Sequence, residues 1–188
     1  AGPNSQRGEE GERGLNENLG RELLELHTVG IGGGYVQDDV RAVALGLTGL
    51  NIDRDNGRTE FRRRIAEPGP VAIPFLKKSY GGEQRTLADV HALLDDLAAH
   101  PATSAHICRK LAIHFVADEP PAALVKAMVD AWNASQGNLA EVYAAMLRHP
   151  TAWDDPGRKA RQPYDYVVAG LRAAGLPESE FAQPIRPP

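Results

Sequence analysis

The sequence predicts a mainly α protein, a bundle-like array of about seven helices with one small hairpin and extended proline-rich region. Apolar residues recur at helical spacing in separate segments, and most of these segments begin with a capping residue or a proline. The helical period is missing between residues 49 and 82, where turn residues are frequent. With 188 residues, of which 42% are hydrophobic and 24% charged, the chain is long enough to bury a core.

The domain organisation follows from these signals. Residues 1–14 lack hydrophobic periodicity and are expected to form a flexible lead, and residues 177–188 are expected to form an extended tail. Between them, residues 15–176 are predicted as a single helical domain in which 49–85 is an irregular or hairpin insert. The predicted helices cover residues 16–28, 38–48, 86–99, 101–116, 121–134, 138–148 and 163–174.

The first predicted helix carries an apolar stripe. Asn16 can cap it, and Leu19, Leu23 and Leu26 follow at i, i+4 and i+7, the spacing of one helix face. We expect these three leucines to supply the buried face. Leu24 lies outside the stripe and predicts a second apolar contact, which a second polypeptide would cover.

The insert between the second and third predicted helices carries turn signals. Asn56 and Gly57 favour a two-residue hairpin turn between short extended segments. Three prolines follow within residues 68–74, and they exclude both a helix and a central strand there.

The other helices each combine a start signal with an apolar face. Thr86 and Asp89 form a pair that resembles a capping box, and Pro101 and Pro163 open helices in the tolerated first position. The residues expected to face inward are Val40, Val43, Ala44, Leu47, Val90, Leu93, Leu94, Leu97, Ile107, Leu111, Phe115, Leu124, Val125, Met128, Trp132, Leu139, Val142, Tyr143, Met146, Tyr164, Val167, Val168 and Leu171.

Composition excludes several classes of function. A net charge of −4 argues against a nucleic-acid surface, and no stretch reaches the 18 apolar residues that a membrane span needs. The single cysteine, Cys108, excludes an internal disulfide and a zinc finger, and its apolar helical setting predicts a buried, inert thiol. The glycines at 32–34 lack the Lys-Ser/Thr ending of a phosphate loop, and the sequence predicts no cofactor.

The first helix holds the richest group of candidate catalytic residues, Glu22, Glu25 and His27. Carboxylates at i and i+3 can bind one metal, but His27 points away from both glutamates at about 100° per residue. Arg21 precedes Glu25 by one turn, and Asn18 lies on the same polar face. We therefore favour an ion pair between Arg21 and Glu25 over a metal site and predict no bound metal.

A second polar stripe lies on the fourth predicted helix, where His106, Lys110 and His114 follow at i, i+4 and i+8. The two histidines are separated by about 12 Å along the helix axis, which is too far to chelate one ion. Arg109 and Lys110, with His106, form a candidate site for an anionic ligand.

A third candidate site precedes the last predicted helix. Arg158, Lys159 and Arg161 lie just before the start at Pro163, and both cations and a helix amino terminus attract anions. A solvated linker, or a clamp on the carboxyl end of a neighbouring helix, is the simpler interpretation.

Three segments together resemble a known family. They read GLNENLGRELLELHTVGIGGGY, HPATSAHICRKLAIHFVADEPP and RKARQPYDYVVAGLRAAG, in the same order as in the uncharacterised bacterial family called domain of unknown function 1800. The resemblance implies a mostly helical fold, an export route for many members and no established activity. It also implies that members are often longer, and that this chain is similar to their carboxy-terminal part, with a helical amino-terminal half absent.

The family motif carries over to particular positions, none of which has an assigned role. They are Asn16, Asn18, Arg21, Glu22, Glu25, His27, Thr28, Arg109, Lys110, Lys159 and Pro163. The chain departs from the family where His-Asp-x-Gly-x-Lys is expected, because residues 66–71 read AEPGPV and lack that histidine and lysine. Val36 also replaces a usual capping threonine, which weakens that helix start by about 1 kcal/mol.

These observations predict a non-catalytic helical domain, part of a larger exported bacterial protein, that acts in packing or partner binding. Its partner would be the missing amino-terminal half, a second polypeptide or a second copy of the chain. One alternative is a hydrolase that uses Glu22 or Glu25 as its acid or base. The other is an anion- or carbohydrate-binding module that uses Arg109, Lys110 and Lys159. A periplasmic or exported location is implied by the resemblance alone.

Overall fold

A computed structural model describes residues 1–10, 15–154, 159 and 162–175. They form a mainly α fold with two small antiparallel hairpins, which confirms the predicted fold class. The helices are α1 (Gln6–Glu9), α2 (Glu17–Glu22), α3 (Gln37–Leu47), α4 (Leu87–Ala99), α5 (Pro101–Phe115), α6 (Ala122–Ala134), α7 (Leu139–Arg148) and α8 (Pro163–Ala173). The strands are β1 (Leu50–Ile52), β2 (Thr59–Phe61), β3 (Val71–Ile73) and β4 (Lys78–Tyr80).

Buried apolar side chains form two clusters along the described chain. The first core joins the α2 region, α3, both strands of the second hairpin and α4; it consists of Leu24, Val29, Val40, Val43, Leu47, Val71, Ile73, Tyr80, Val90, Leu93 and Leu97. The second core joins α5, α6 and α7; it consists of Cys108, Ala112, Leu124, Met128, Val142 and Met146. The burial predicted for α3, α4 and α6 is confirmed at their main apolar positions.

The first helix buries a different face from the predicted one. Leu24 is 0% exposed inside the first core, whereas Leu19 and Leu26 are each 48% exposed. The cause is a close approach of α2 to α3 at Gly20, where a Cβ atom would lie only 2.6 Å from the carbonyl oxygen of Val40. Gly20 and Leu24 are four residues apart and share the packed face.

A π-helical turn over Leu23–His27 continues α2 and rotates the residues that follow. The prediction that Leu19 and Leu26 are buried is therefore wrong, and so is the expectation that Leu24 needs cover from another polypeptide.

Residues 1–10 form a short helix and contact the insert. Ser5 is 2% exposed and caps α1, because its Oγ accepts a hydrogen bond from the amide of Gly8 at 3.1 Å. The amide of Gly2 donates to the carbonyl of Ile65 at 2.9 Å. The segment is thus attached to the insert. Residues 11–14 and the predicted tail at 177–188 lie outside the described residues.

The insert contains two hairpins, and the turn of the first is longer than predicted. The amide of Asp53 donates to the carbonyl of Arg58 at 2.9 Å, which closes a four-residue turn. Gly57 has a φ of +67°, but Asn56 is not in the left-handed region that a two-residue type I′ turn requires. The prediction of a two-residue turn is therefore wrong. In the second hairpin, Pro70 and Pro74 flank the three-residue strand β3 and limit its length.

Buried or half-buried acidic side chains define two of the helix starts. At α3, where Val36 cannot cap, the Val36 amide donates to Asp39 Oδ2 at 2.9 Å. At α4, the amide of Thr86 donates to Asp89 Oδ2 at 2.7 Å, which confirms the predicted capping pair.

Helix α5 turns small residues toward its neighbours. Ser104, Cys108 and Ala112 are at most 1% exposed, whereas Phe115 is 56% exposed, so its predicted inward position is wrong. Small side chains at i, i+4 and i+8 allow neighbouring helices to approach closely, and this excludes bulky residues from the contact. On α8, Tyr164 and Val167, which were also expected to face inward, are 78% and 55% exposed.

Candidate functional site

The polar face of the first helix forms a surface network with α3. Arg21 Nη1 lies 3.1 Å from Glu25 Oε1, so the favoured ion pair is present. Arg21 Nη2 donates to Gln37 Oε1 at 2.5 Å, and Gln37 Nε2 donates to Glu17 Oε2 at 3.2 Å. These contacts join α2 to α3 and occupy Arg21 and Glu25 in structural hydrogen bonds.

The other candidate residues of that helix are not assembled with Glu25. Glu22, His27 and Asn18 are exposed, and within the described residues their side chains make no hydrogen bond or ion pair. Among those residues no group of three or more His, Cys, Asp or Glu side chains is placed to hold a metal ion.

The charges of this network affect the pKa of one aromatic side chain, Tyr35. Burial raises the pKa of Tyr35, the negative charge of Glu25 raises it further, and the positive charge of Arg21 opposes both effects. Tyr35 packs edge-to-face on Phe75, with ring centroids 6.1 Å apart. It therefore stays protonated at neutral pH and acts as a packing residue between the insert and the first helix.

The polar stripe of α5 binds the end of the first helix. Lys110 Nζ donates to the carbonyl oxygen of Leu26 at 2.9 Å, where the π turn leaves acceptors unpaired. His106 packs on Gly30, whose position leaves no room for a Cβ atom because one would lie 2.4 Å from His106 Nδ1. Sequence spacing alone gave no sign that this stripe meets the first helix.

These contacts weaken the candidate anion site on α5. Burial lowers the pKa of His106, the charge of Lys110 lowers it further, and a hydrogen bond with the Leu26 backbone opposes them. His106 is therefore neutral at pH 7 and adds no positive charge there. Arg109 is exposed and points away from the small-residue face of α5.

The third candidate site is partly described. Lys159 forms an ion pair with Asp118, in the loop after α5, and so clamps the chain before α8 to that loop. Arg158 and Arg161 lie outside the described residues. Cys108 matches its predicted inert role, because burial raises the pKa of its thiol to about 11.

A cluster of buried polar side chains lies beside the first core, and the sequence pattern did not predict it. Arg85, 3% exposed, donates to the carbonyl of Leu45 at 2.8 Å, to that of Gly46 and to Thr48 Oγ1 at 3.4 Å. It thereby satisfies the Gly46 carbonyl at the end of α3 and adds a donor to the Leu45 carbonyl, which also accepts from the amide of Thr48 at 3.1 Å. Burial lowers the pKa of Arg85, and the charges of Asp89 and Glu67 oppose this shift.

Glu67 completes the cluster. It is 7% exposed, and its amide donates to Thr48 Oγ1 at 2.7 Å. Its carboxylate accepts hydrogen bonds from the side chain and the amide of Asn4, the latter at 3.2 Å. A cleft of about 180 Å³ adjoins these residues, but both charged groups already bind the protein's own chain. The cluster is therefore a structural clamp that fastens residues 1–10 to α3.

An exposed apolar surface runs along the first helix and the first hairpin. We call it the Leu19 face; it consists of Leu15, Leu19, Leu50 and Ile52. One cleft of about 200 Å³ is lined by Leu15, Leu19 and Leu50 and also by Ala1. A second, of about 530 Å³, is lined by Leu19, Leu50 and Ile52. Leu19 and Ile52 are 48% and 66% exposed.

Comparison with known proteins adds one match. A family model described as a protein of unknown function matches residues 2–186. No curated protein and no solved structure matches the chain. Among the described residues, no helix is both long enough and apolar enough to cross a membrane.

Proposed function

The chain belongs to the family of proteins of unknown function DUF1800, and from this premise we propose that it is a non-catalytic helical domain that docks another polypeptide on the Leu19 face. We further propose that it is the carboxy-terminal part of a longer, exported bacterial protein. The resemblance of its motifs to longer, frequently exported members supports this second proposal.

The exposed side chain of Leu19 carries the docking proposal. Leu19 leaves about half of its side chain in water, and it lines two apolar clefts together with Leu15, Leu50 and Ile52. Fully burying a leucine contributes about 1.5 to 3 kcal/mol, so covering the exposed half of Leu19 is worth roughly 1 kcal/mol. The sequence is patterned for a contact that the described chain does not supply.

The position of Ala1 favours an occupant from the amino-terminal side. Ala1 lines the same cleft as Leu15 and Leu19, so a polypeptide joined before it would emerge on the Leu19 face. Strand β1 adds a reason: within the described residues it pairs only with β2, so no strand covers its other edge. The occupant we propose is therefore the amino-terminal half that longer family members carry.

The test adds that half in trans. The amino-terminal half of a longer family member is mixed with this chain, and complex formation is followed by light scattering and calorimetry. We expect a 1:1 complex, weakened at least tenfold by Leu19→Glu and unaffected by Leu147→Glu. Leu147 is a matched control because it is 54% exposed on α7.

Two results would reject the proposal. A symmetric dimer that Leu19→Glu dissociates would assign the face to a second copy of the chain. Equal binding by the wild-type chain and Leu19→Glu, or no binding by either, would show that the Leu19 face has no docking role.

A further inference from the structure

A groove lies where the last turn of α4 faces the end of α6, between the two cores. Its volume is about 480 Å³; it is lined by Asp95, Ala98, Ala99, Trp132, Asn133 and Gln136. The two alanines are small, and they leave the wall opposite Trp132 open. The volume falls within the range of about 300–1,000 Å³ that is usual for small-molecule sites.

Trp132 supplies a fixed aromatic surface in this groove. Its indole is half-buried and packs against the second core. Gly137 also lies beside it, since a Cβ atom there would be 3.5 Å from the indole Cε2 and Cζ2 and 3.6 Å from Nε1. These contacts hold the ring, which also lines the groove.

The two tryptophans differ in how their N–H groups are used. Trp153 Nε1 donates to the carbonyl of Leu147 at 2.9 Å. Trp132 Nε1 has no hydrogen-bond partner in the described part of the chain, and it is not among the buried polar atoms, so it reaches solvent. This donor is available to a ligand.

The polar side chains beside the indole are also without hydrogen-bond partners in the described part of the protein. Within the described ranges, the side chains of Asp95, Asn133 and Gln136 form no hydrogen bond or ion pair. Gln136 has a φ of +55°, a conformation that few residues other than glycine adopt. The amide of Gly137 donates to the carbonyl of Trp132 at 2.9 Å, and this turn fixes Gln136 next to the indole.

From this arrangement we propose that the groove binds one ring of an uncharged saccharide. The apolar C–H face of a pyranose ring packs on an indole, while its hydroxyls both donate and accept hydrogen bonds. A carboxylate accepts such bonds, an indole N–H donates one, and two carboxamides do both. The groove lining has a single ionisable side chain, Asp95, which disfavours anionic sugars.

The experiment uses the fact that the chain has two tryptophans. Trp153→Phe leaves Trp132 as the sole indole, and Trp132→Phe leaves Trp153 as the matched control. Each variant is titrated with glucose, mannose, galactose and N-acetylglucosamine and with their trimers, with glucuronate as the anionic control. Fluorescence and the indole N–H resonance in NMR report binding.

We expect a saturable change in Trp153→Phe with at least one neutral sugar, with a Kd on the order of 1 mM, and none in Trp132→Phe. Asp95→Asn and Gln136→Ala, introduced into Trp153→Phe, should each weaken binding about fivefold or more without altering the circular-dichroism spectrum.

Three outcomes would overturn the proposal. One is the absence of a saturable change up to about 100 mM of every neutral sugar, a concentration that would detect even a very weak site. Another is equal or tighter binding of glucuronate. The third is unchanged affinity in both Asp95→Asn and Gln136→Ala. The docking test on the Leu19 face uses other residues, so the two proposals fail independently.

Discussion

The two cores of the molecule are built in different ways. The first joins elements that are far apart in the sequence, and charged side chains, Asp39, Glu67 and Arg85, are buried beside it at 3%, 7% and 3% exposure. The second joins three consecutive helices through aliphatic and sulfur-containing side chains, and no charged residue of α5–α7 is buried. The first region therefore depends on particular polar contacts, and the second on local amphipathic patterning.

This difference has an energetic consequence. Losing one partner of a buried charged contact leaves other groups without hydrogen bonds in a dry environment, whereas an apolar contact between neighbouring helices weakens gradually. We therefore expect the first region to be the more sensitive to single polar substitutions, and the largest effect at the residue with the most such contacts.

Arg85→Met should give the largest loss of stability. It removes the donor of the Gly46 carbonyl and one donor of the Leu45 carbonyl. A buried hydrogen bond from a charged group contributes about 1.5–3 kcal/mol, so the two together predict a loss of about 3–5 kcal/mol. Urea unfolding measures it. Arg41→Met is the control: Arg41 pairs with Glu17 but its side chain is 58% exposed, so less than about 1 kcal/mol is expected.

Alkylation of Cys108 shows whether the cores unfold together. Burial and a thiol pKa of about 11 protect it while the second core is folded. If the Arg85→Met chain is alkylated no faster than wild type at a urea concentration that unfolds its first core, the regions are independent. An Arg85→Met effect below 1 kcal/mol would remove the contrast between the cores.

The paired variants Leu24→Ala and Leu19→Ala compare the two faces of the first helix. Leu24 is fully buried, so its truncation should cost about 2–5 kcal/mol, whereas Leu19 is half exposed and should cost less than about 1.5 kcal/mol. Thermal and urea denaturation give both values. Equal costs would mean that the stripe, and not the Gly20 contact, sets the orientation of the helix.

Asp39→Ala should destabilise the first region by about 2 kcal/mol. Its Oδ1 accepts from the Phe75 amide at 3.0 Å and its Oδ2 from the Val36 amide, so it links the start of α3 to the second hairpin. Asp38→Ala is the matched control, because Asp38 is exposed in the same helical turn. If the two variants are equally stable, the effect of Asp39 is only that of a charge near the helix terminus.

The smallest effect concerns Asp96, which faces the second hairpin. Lys78 lowers the pKa of Asp96, burial opposes this, and the hydroxyl of Tyr80, which donates to Asp96 Oδ2 at 2.7 Å, lowers it further. Because the pKa of Asp96 in the folded state is below its unfolded value of about 3.9, the ionised carboxylate stabilises the folded protein above that pH. This stabilisation is lost as the pH falls through the folded-state pKa.

Asp96→Asn tests that pH dependence. Lys78 is 57% exposed, so solvent screening limits the effect to less than about 1 kcal/mol. Wild type should exceed Asp96→Asn in urea stability at pH 7, and the difference should shrink toward pH 2. A difference that grows on acidification would contradict the pKa direction.

The sequence predicted the helices well because their signals are local. Thr86 with Asp89 and the proline at 101 marked helix starts to within one residue, and Cys108 was assigned a buried thiol from its apolar setting. The Arg21–Glu25 pair also followed from i, i+4 spacing alone. Such features need only the geometry of one helix.

The candidate site was less predictable, since its residues are brought together from distant parts of the chain. Arg85 and Glu67 carry no periodic signal, and the groove at Trp132 depends on where α4 meets α6. Lys110 looked like a free cation until the structure placed it on the Leu26 carbonyl.

The sequence by itself therefore determined where α2 to α8 begin and end, because capping and periodicity act over a few residues, whereas the four-residue helix α1 was not predicted. The tertiary structure decided which face each helix buries. At the first helix, Gly20 determines the buried face, because only a residue without a Cβ atom lets α2 approach the Val40 carbonyl. This close approach places Leu24 in the core and leaves Leu19 half exposed to water.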